Sequence, residues 1–203
     1  MQPNLKTFCI GLVAAGGLMA SSVALADGAE LYQKKACQTC HGADANKPLT
    51  ATYPKLAGQE VGYLEEQMKD IRDGKRTNGL SAAMKALTAA VTDDEFKQIA
   101  EWVASAGSFS VDVDPGADGA KLYKEKECNT CHGKDGNSPV VSEANGNPPK
   151  IAGQNEAYML TQMKDIRDGK RTNATSSLMK AKTEGVTDED FTAIAKWLAT
   201  AKK

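Results

Sequence analysis

The sequence predicts an all-α protein made of two tandem copies of one domain, and three observations support this fold class. Apolar residues recur at three- and four-residue spacings in both halves, and no long segment alternates with period two. One set of motifs occurs twice along the 203-residue chain. Aromatic residues make up only 5% of the sequence, so each small domain needs core material beyond its own side chains. We therefore expect two helical domains, each wrapped around a cofactor.

The first 26 residues have the pattern of a cleaved export signal. Lys6 precedes a stretch of apolar residues and glycines, residues 8–19, and the small residues before Ala26 are suited to cleavage after it. A retained membrane anchor is the alternative, because residues 7–26 are about long enough to span a bilayer. Their glycines and alanines would make a weak span. We expect a soluble mature chain in an oxidising space outside the cytoplasm.

The repeat divides the rest of the chain into domains. Gly28–Tyr32 recurs as Gly119–Tyr123 at an offset of 91 residues, whereas motifs further along recur at an offset of 95. The second copy therefore carries four extra residues, in a loop rich in Pro, Gly and Asn. The predicted parts are a signal peptide at 1–26, an N-terminal domain at 27–106, a linker at 107–116 and a C-terminal domain at 117–203.

Each copy contains helices with recognisable start and stop signals. The central helix carries an apolar stripe and is followed by a glycine, Gly74 in one copy and Gly169 in the other. The last helix follows a capping-box sequence that begins at Thr92 or Thr187. We expect three main helices per domain, joined by long loops.

The cysteines and histidines predict covalent attachment of haem. Two cysteines three residues apart on a helical turn reach the two vinyl groups of one porphyrin, and the adjacent histidine faces the iron. Both copies carry this Cys-x-x-Cys-His sequence. The residues are Cys37, Cys40, His41, Cys128, Cys131 and His132.

Three other interpretations of the cysteine pairs are weaker. A four-cysteine zinc ribbon needs its pairs roughly 15 to 20 residues apart, whereas Cys40 and Cys128 are 88 positions apart. A thioredoxin-like redox pair lies beside a βαβ pattern, which this sequence lacks. Disulfides would not explain a histidine directly after both pairs.

The second axial ligand of each iron decides between an electron carrier and an enzyme. Both histidines are used as proximal ligands, which leaves methionine, lysine, a terminal amine, water or an open position. Met84 and Met179 follow loops rich in small and polar residues, and we expect these loops to place a thioether on each iron. Met68 and Met163 also recur, but they lie on the apolar stripe of a helix, where core packing is the commoner role.

Charge excludes a nucleic-acid binder, because the formal net charge is only −1. Residues 27–106 carry 10 basic and 12 acidic groups, whereas residues 117–203 carry 14 and 12, so the domains have opposite signs and should dock in a salt-dependent orientation. Two roles are open for six repeated cations: they neutralise haem propionates, or they complement a solvated helix end. These cations are Arg72, Lys75, Arg76, Arg167, Lys170 and Arg171.

Taken together, the motifs resemble those of the cytochrome c4 family, the di-haem class I cytochromes c of the bacterial periplasm. Each Cys-x-x-Cys-His sequence is followed by Pro-Lys-Leu/Ile-Ala-Gly-Gln, then by Gln-Met-Lys-Asp-Ile-Arg-Asp-Gly-Lys-Arg, a methionine and a last helix with a tryptophan. The resemblance covers essentially the whole mature chain. It implies that the carbonyls of Pro54 and Pro149 accept hydrogen bonds from the proximal histidines. It also implies thioether bonds at Cys37/Cys40 and Cys128/Cys131 and axial pairs His41/Met84 and His132/Met179.

The resemblance implies a periplasmic electron carrier with two covalent haem c groups and no catalytic residues. Its expected partners are redox proteins, such as a quinol-cytochrome c reductase as donor and a membrane-bound terminal oxidase as acceptor, and peripheral association with the membrane is compatible with that role. A haem-bearing subunit of a dehydrogenase complex is one alternative. A di-haem peroxidase is a weaker one, because the sequence offers neither a distal histidine nor a general base.

Overall fold

Ten helices, five in each half, make up the part of the chain that the computed structural model describes: residues 19–107, 113–137 and 139–201, without the side chains of residues 19–26. The first half contains α1 (Met19–Lys34), α2 (Gln38–His41), α3 (Val61–Arg72), α4 (Ser81–Thr88) and α5 (Asp93–Ser105). The second half contains α6 (Asp118–Glu125), α7 (Asn129–His132), α8 (Glu156–Arg167), α9 (Ser176–Thr183) and α10 (Asp188–Ala199). The all-α class and the duplication are confirmed.

Two predicted segments fall partly outside this description. Residues 1–18 of the export signal and residues 108–112 of the linker lie outside the described residues. Among the helices that are described, none is long and apolar enough to cross a membrane.

The first and last helices of each half cross at a glycine. Gly28 of α1 lies so close to the carbonyl oxygen of Gln98 in α5 that a β-carbon would collide with it, and Gly119 of α6 approaches α10 in the same way. Beside this crossing, Tyr32 packs on Trp102 with the ring centroids 4.7 Å apart, and the second half repeats the contact. The crossing therefore joins the ends of each domain around one core.

The predicted helix boundaries are present in both halves. Gly74 follows α3 with φ of +75° and Gly169 follows α8 with φ of +72°, the left-handed conformation in which glycine ends a helix at no steric cost. Thr92 and Thr187 each close a capping box at the start of α5 and α10. These local signals act within a few residues, which is why the sequence predicts them well.

The two halves join through reciprocal hydrogen bonds. The Gln154 side chain accepts from the backbone N–H of Lys55 over 2.8 Å and donates to its carbonyl over 2.9 Å. Gln59 makes the same two bonds with the backbone of Lys150, each 2.8 Å long. All four residues belong to the repeated Pro-Lys-Leu/Ile-Ala-Gly-Gln sequence. This repeated segment therefore builds the contact between the halves, in addition to its place within each domain.

Candidate haem-binding sites

The Cys-x-x-Cys-His residues of each half lie on a helix of one turn. Cys37 precedes α2 and His41 ends it, with the backbone N–H of His41 donating to the Cys37 carbonyl over 3.1 Å. The residue before the first cysteine, Ala36 or Glu127, has a left-handed backbone with φ of 58° or 56°. That conformation ends the preceding helix and directs the chain into the Cys-x-x-Cys-His turn, residues 37–41 or 128–132, which we call the attachment turn.

A buried tyrosine anchors each attachment turn. The hydroxyl of Tyr32 donates to the carbonyl of Gly42 over 2.8 Å, and Tyr123 donates to Gly133 over the same distance. Burial raises the pKa of both phenols well above its ordinary value, so each hydroxyl keeps its proton and remains a donor. The end of each turn is therefore tied to the helix that begins its domain.

The proximal histidines are oriented by backbone carbonyls, as the family resemblance implied. His41 Nδ1 lies 3.1 Å from the Pro54 carbonyl oxygen, and His132 Nδ1 lies 2.8 Å from that of Pro149. A carbonyl only accepts, so Nδ1 carries the proton and Nε2 keeps a lone pair for a metal. Burial lowers the pKa of both imidazoles, and the bond to proline only partly opposes this. Both rings are therefore neutral, as a metal ligand must be.

A cavity of about 450 Å³ lies in front of the first attachment turn and continues along the contact between the halves to the second turn. Cys37, Cys40 and His41 lie in its wall, among aliphatic and aromatic side chains. A second cavity of about 110 Å³ borders the second turn, including Cys131. Volumes in the hundreds of cubic ångströms with mostly apolar walls are typical of cofactor sites.

The cysteine chemistry also fits covalent haem. Burial raises the pKa of the Cys37 and Cys128 thiols to about 11. Redox-active cysteine pairs need the opposite shift, because the thiolate is the reactive form. The apolar walls, the paired thiols and the oriented imidazoles together suit a porphyrin held by two thioether bonds in each half.

The structure places both candidate methionine ligands in these cavities, but on helices. Met84 is half-buried in α4 and lines the first cavity, and Met179 is half-buried in α9 and lines both. The loops that precede them are shorter than expected, because α4 already begins at Ser81 and α9 at Ser176; Ala, Leu, Met and Lys, which fill most of α4, are strong helix formers. Met68 is buried in the core of the first half, yet it also borders the first cavity.

The repeated cations separate into two groups. Arg72 is a surface residue whose guanidinium pairs with Asp93 at 2.7 Å and stacks on the Phe96 ring, and Arg167 makes the matching contacts in the second half. Lys75 and Lys170 are largely exposed. These four cations therefore have the second of the two predicted roles, as charges at a solvated helix end. Of the six cations, only Arg76 and Arg171 line the first cavity.

Arg76 and Arg171 are buried at the contact between the halves, each only 8% exposed. Arg76 donates to Gln67 at 3.0 Å within its own half and to Gln162 at 2.9 Å across the contact. Arg171 donates to the same two glutamines. Among the described residues, neither guanidinium has a carboxylate within ion-pair distance. The hydrogen-bond partners of the two buried guanidiniums are therefore neutral groups, an arrangement that leaves both cations able to bind an anion in the cavity.

The effect of these charges is visible at a neighbouring phenol. Burial alone would raise the pKa of Tyr63, but the guanidiniums of Arg171 and Arg76 outweigh burial and lower it. Tyr63 accepts a hydrogen bond from Arg171 at 3.3 Å, and Tyr158 accepts one from Arg76 at 3.1 Å. The wall between the two cavities is thus positive in potential, which suits the carboxylates of haem propionates.

The sequence analysis missed the polar residues that join the halves. Gln67 lies on the buried face of α3, and its repeat, Gln162, and the asparagines that bond across the contact are polar as well. The signal was available: Gln67 and Gln162 are identical in both copies on a helix face that is otherwise apolar, and Asn78 and Asn173 are identical in the segments that follow. A polar residue kept twice on a buried face indicates a hydrogen-bonded contact.

Comparisons with known proteins match this architecture. Residues 23–103 match the family described as cytochrome c oxidase, cbb3-type, subunit III, and residues 116–202 match the cytochrome c family. A crystal structure of reduced recombinant cytochrome c4 from Pseudomonas stutzeri has a TM-score of 0.70 at 28% identity, covering 88% of this chain and 98% of that chain.

Similarity to individual proteins extends over nearly the whole chain. Cytochrome c4 of Pseudomonas aeruginosa is 33% identical over 205 residues, which cover 96% of this chain and 98% of the relative. The thiosulfate dehydrogenase electron acceptor of Stutzerimonas stutzeri is 30% identical over 90% of this chain and 89% of its own. Two cytochrome c domains, each with its cysteine pair, imply two covalent haems. The chain belongs to the cytochrome c4 family of di-haem electron carriers, which are not enzymes.

Proposed function

We propose that the protein carries single electrons in the periplasm, from a donor such as a quinol-cytochrome c reductase to a membrane-bound terminal oxidase. One observation carries the proposal. The bond from His41 to Pro54 leaves Nε2 available for iron, in a cavity that Met84 also lines. His132 and Met179 repeat this arrangement in the second half, which supports two sites in which a histidine and a methionine would each ligate the iron. Such sites suit electron transfer rather than substrate binding.

Each group of residues has one task in this function. When bound, the haem supplies a one-electron couple between ferrous and ferric iron. The cysteine pairs would hold the haem covalently, His41 and His132 would bind its iron through Nε2, and Met84 and Met179 would supply thioether ligands. Thioether ligation and an apolar wall that excludes water both favour the reduced form, because the oxidised form carries the extra positive charge.

Arg76 and Arg171 bind the haem propionates in this proposal. Their guanidiniums lie in the cavity wall with neutral partners only, so a carboxylate there gains strong charge-assisted hydrogen bonds. In return, the propionates remove the cost of two buried, uncompensated cations. The two haems would then meet at the contact between the halves, where electrons can pass from one to the other.

The axial ligands are tested by the absorption spectrum of the oxidised protein. Methionine-ligated ferric haem has a weak sulfur-to-iron charge-transfer band in the far red, and we expect it from both halves. Its absence from both would reject Met84 and Met179. The carrier role is tested by mixing the reduced protein with oxidase-containing membranes. We expect cyanide-sensitive oxidation whose rate falls as salt is added, and no oxidation would reject the proposed acceptor.

A second candidate function is to accept electrons from a thiosulfate dehydrogenase. The relative from Stutzerimonas stutzeri that is named for this role supports it. The test is to add thiosulfate and a catalytic amount of purified thiosulfate dehydrogenase to the oxidised protein. Rapid reduction of both haems would support this donor, whereas an unchanged spectrum would reject it.

A further inference from the structure

The two halves differ on the outer faces of α4 and α9, the helices that carry Met84 and Met179. On α4 and the turns beside it, the exposed residues are nearly all apolar, and Lys85 is the one charged residue of this fully described helix. We call these apolar residues, which surround Lys85, the α4 patch. They are Leu80, Ala82, Ala86, Leu87, Ala89 and Ala90.

The matching surface of the second half is mixed: α9 exposes Leu178, but it also carries charged side chains that α4 lacks. Lys182 of α9 stands where α4 has Leu87, and Glu127 stands where the first half has Ala36. Lys182 and Glu127 form an ion pair of 2.5 Å at the rim of the second cavity. The first half has only apolar side chains at these two positions. The rim of the first cavity is therefore apolar at these two positions, whereas the rim of the second cavity carries the Lys182–Glu127 ion pair.

The α4 patch lies directly beside the candidate electron-transfer site. Leu80 and Leu87 are both about half exposed, at 49% and 48%, and both line the first cavity together with Met84. Exposure of large apolar side chains to water is unfavourable. Clusters of such exposed side chains therefore mark interaction surfaces. A partner seated on this patch would also lie beside the first cavity.

Lys85 indicates the charge of that partner. Its side chain is exposed, and among the described residues no carboxylate lies within ion-pair distance of it. An unpaired cation inside an apolar surface favours a partner that brings a carboxylate, because complementary charges fix the orientation of docking. Lys180, the equivalent of Lys85 on α9, is also exposed, but its surroundings are charged rather than apolar, because Lys182 and Glu127 form an ion pair beside it.

We propose that the α4 patch is the docking surface for a redox partner protein whose contact face is apolar and carries a carboxylate opposite Lys85. The inference rests on the proposed electron-carrier function and adds the half through which the partner exchanges electrons. The first half is the contact half, and the second half receives or supplies electrons through the first. The contact has a dry apolar centre and one specific charge pair, as small transient interfaces do.

The chain offers a matched pair of variants for the test. Ala86 in α4 and Ala181 in α9 occupy the same register, both are exposed, and neither lines a cavity. Ala86→Glu places a carboxylate in the patch, whereas Ala181→Glu makes the same change on the other half. Ala86→Gln is a neutral second variant in case the charged one folds poorly. Correct folding of all variants is checked by haem content and circular dichroism.

The probe is a gold electrode coated with a mixed monolayer of methyl- and carboxylate-terminated alkanethiols, which imitates an apolar surface with isolated carboxylates. We expect Ala86→Glu to slow electron exchange with the electrode about tenfold, and Ala181→Glu to change it less than about twofold. Lys85→Gln should slow exchange and reduce its dependence on salt. Equal rates for the wild type and Ala86→Glu, or equal slowing by Ala86→Glu and Ala181→Glu, would overturn the inference.

A small reagent separates this inference from the proposed function. Hexaammineruthenium(II) needs no docking surface and should reduce the wild type and both glutamate variants at equal rates. If it does not reduce the wild type, the electron-carrier function itself fails. If it does, while the electrode rates do not distinguish the variants, only the docking surface fails. A wild type that sediments as a dimer, and becomes monomeric on Ala86→Glu, would assign the patch to a second copy and overturn the inference.

Discussion

His132 and Pro149 form a hydrogen bond 2.8 Å long, as His41 and Pro54 do in the first half, although the second half has four additional residues between the two partners. His41 and Pro54 are 13 positions apart, whereas His132 and Pro149 are 17 apart. A small antiparallel bridge closes residues 142–146 into a side loop that takes up the difference. The longer loop therefore leaves the orientation of the proximal imidazole unchanged, as expected of an insertion in a surface loop.

Removing a distal methionine should open one haem to added ligands. Met84→Ala and Met179→Ala each take a thioether from a cavity that holds a proximal histidine. We expect each variant to bind cyanide when oxidised and carbon monoxide when reduced, at one haem of the two. Absorption spectroscopy during ligand titration measures this.

The control for the methionine prediction is Met68, the buried methionine on the apolar stripe of α3. Met68→Ala should leave both haems closed and lower the free energy of unfolding by about 2–5 kcal/mol, because it creates a cavity in the core. If Met68→Ala admitted ligands and Met84→Ala did not, the assignment of the distal ligand would be reversed.

The fold was predictable because its determinants are local or repeated. The capping box at Thr92 and the glycine stop at Gly74 act within a few residues, and the duplication is visible without any structure. The helix around Met84 was missed because the preceding polar loop was weighted above the helix propensity of the residues that follow.

The contact between the halves could not be read from the sequence in the same way. Arg76 bonds with Gln162, 86 positions along the chain, and no local pattern contains that distance. For this reason, the sequence alone does not decide between the two roles predicted for the six repeated cations. Only the relative placement of the halves shows that Arg76 and Arg171 are buried at the cavity while Arg72 is a surface residue.

Neutralising one buried arginine should lower a reduction potential. A cation near the haem destabilises the ferric form, which carries the extra positive charge. Arg76→Gln or Arg171→Gln should therefore stabilise the ferric form relative to the ferrous form. We expect a decrease of tens of millivolts, where roughly 59 mV corresponds to a tenfold change for a one-electron couple. Spectroelectrochemical titration measures it. Arg72→Gln, at the surface and paired with Asp93, is the control, and a shift as large as that of Arg76→Gln would contradict the assignment.

Removing a buried phenol should weaken each attachment turn. Tyr32→Phe and Tyr123→Phe each remove one of two hydrogen bonds to the carbonyls of Gly42 and Gly133, which keep the backbone N–H donors of Ala45 and Gly136, and both variants keep the ring contacts. We expect each variant to lower the free energy of unfolding by about 0.5–1.5 kcal/mol, the net contribution of one hydrogen bond. Denaturation in guanidinium chloride measures this. An unchanged midpoint in both variants would show that water replaces the hydroxyl.

The capping box of α5 should make stability depend on acid. The hydrogen bond from Lys35, and then the backbone N–H of Thr92, hold the pKa of Glu95 below its ordinary 4.5. A carboxyl whose pKa is lowered by folding stabilises the protein fully above its unfolded pKa, and this contribution is lost as pH falls through the folded pKa.

We therefore expect the denaturation midpoint of the wild type to fall as the solution is acidified below about pH 4.5. Glu95→Gln should be less stable at neutral pH and should lose less on acidification, because its side chain has no charge to lose. Asp190→Asn, which removes the equivalent carboxylate of α10, should behave in the same way. If both variants kept the full acid dependence of the wild type, the carboxylates responsible would have to lie outside the two capping boxes.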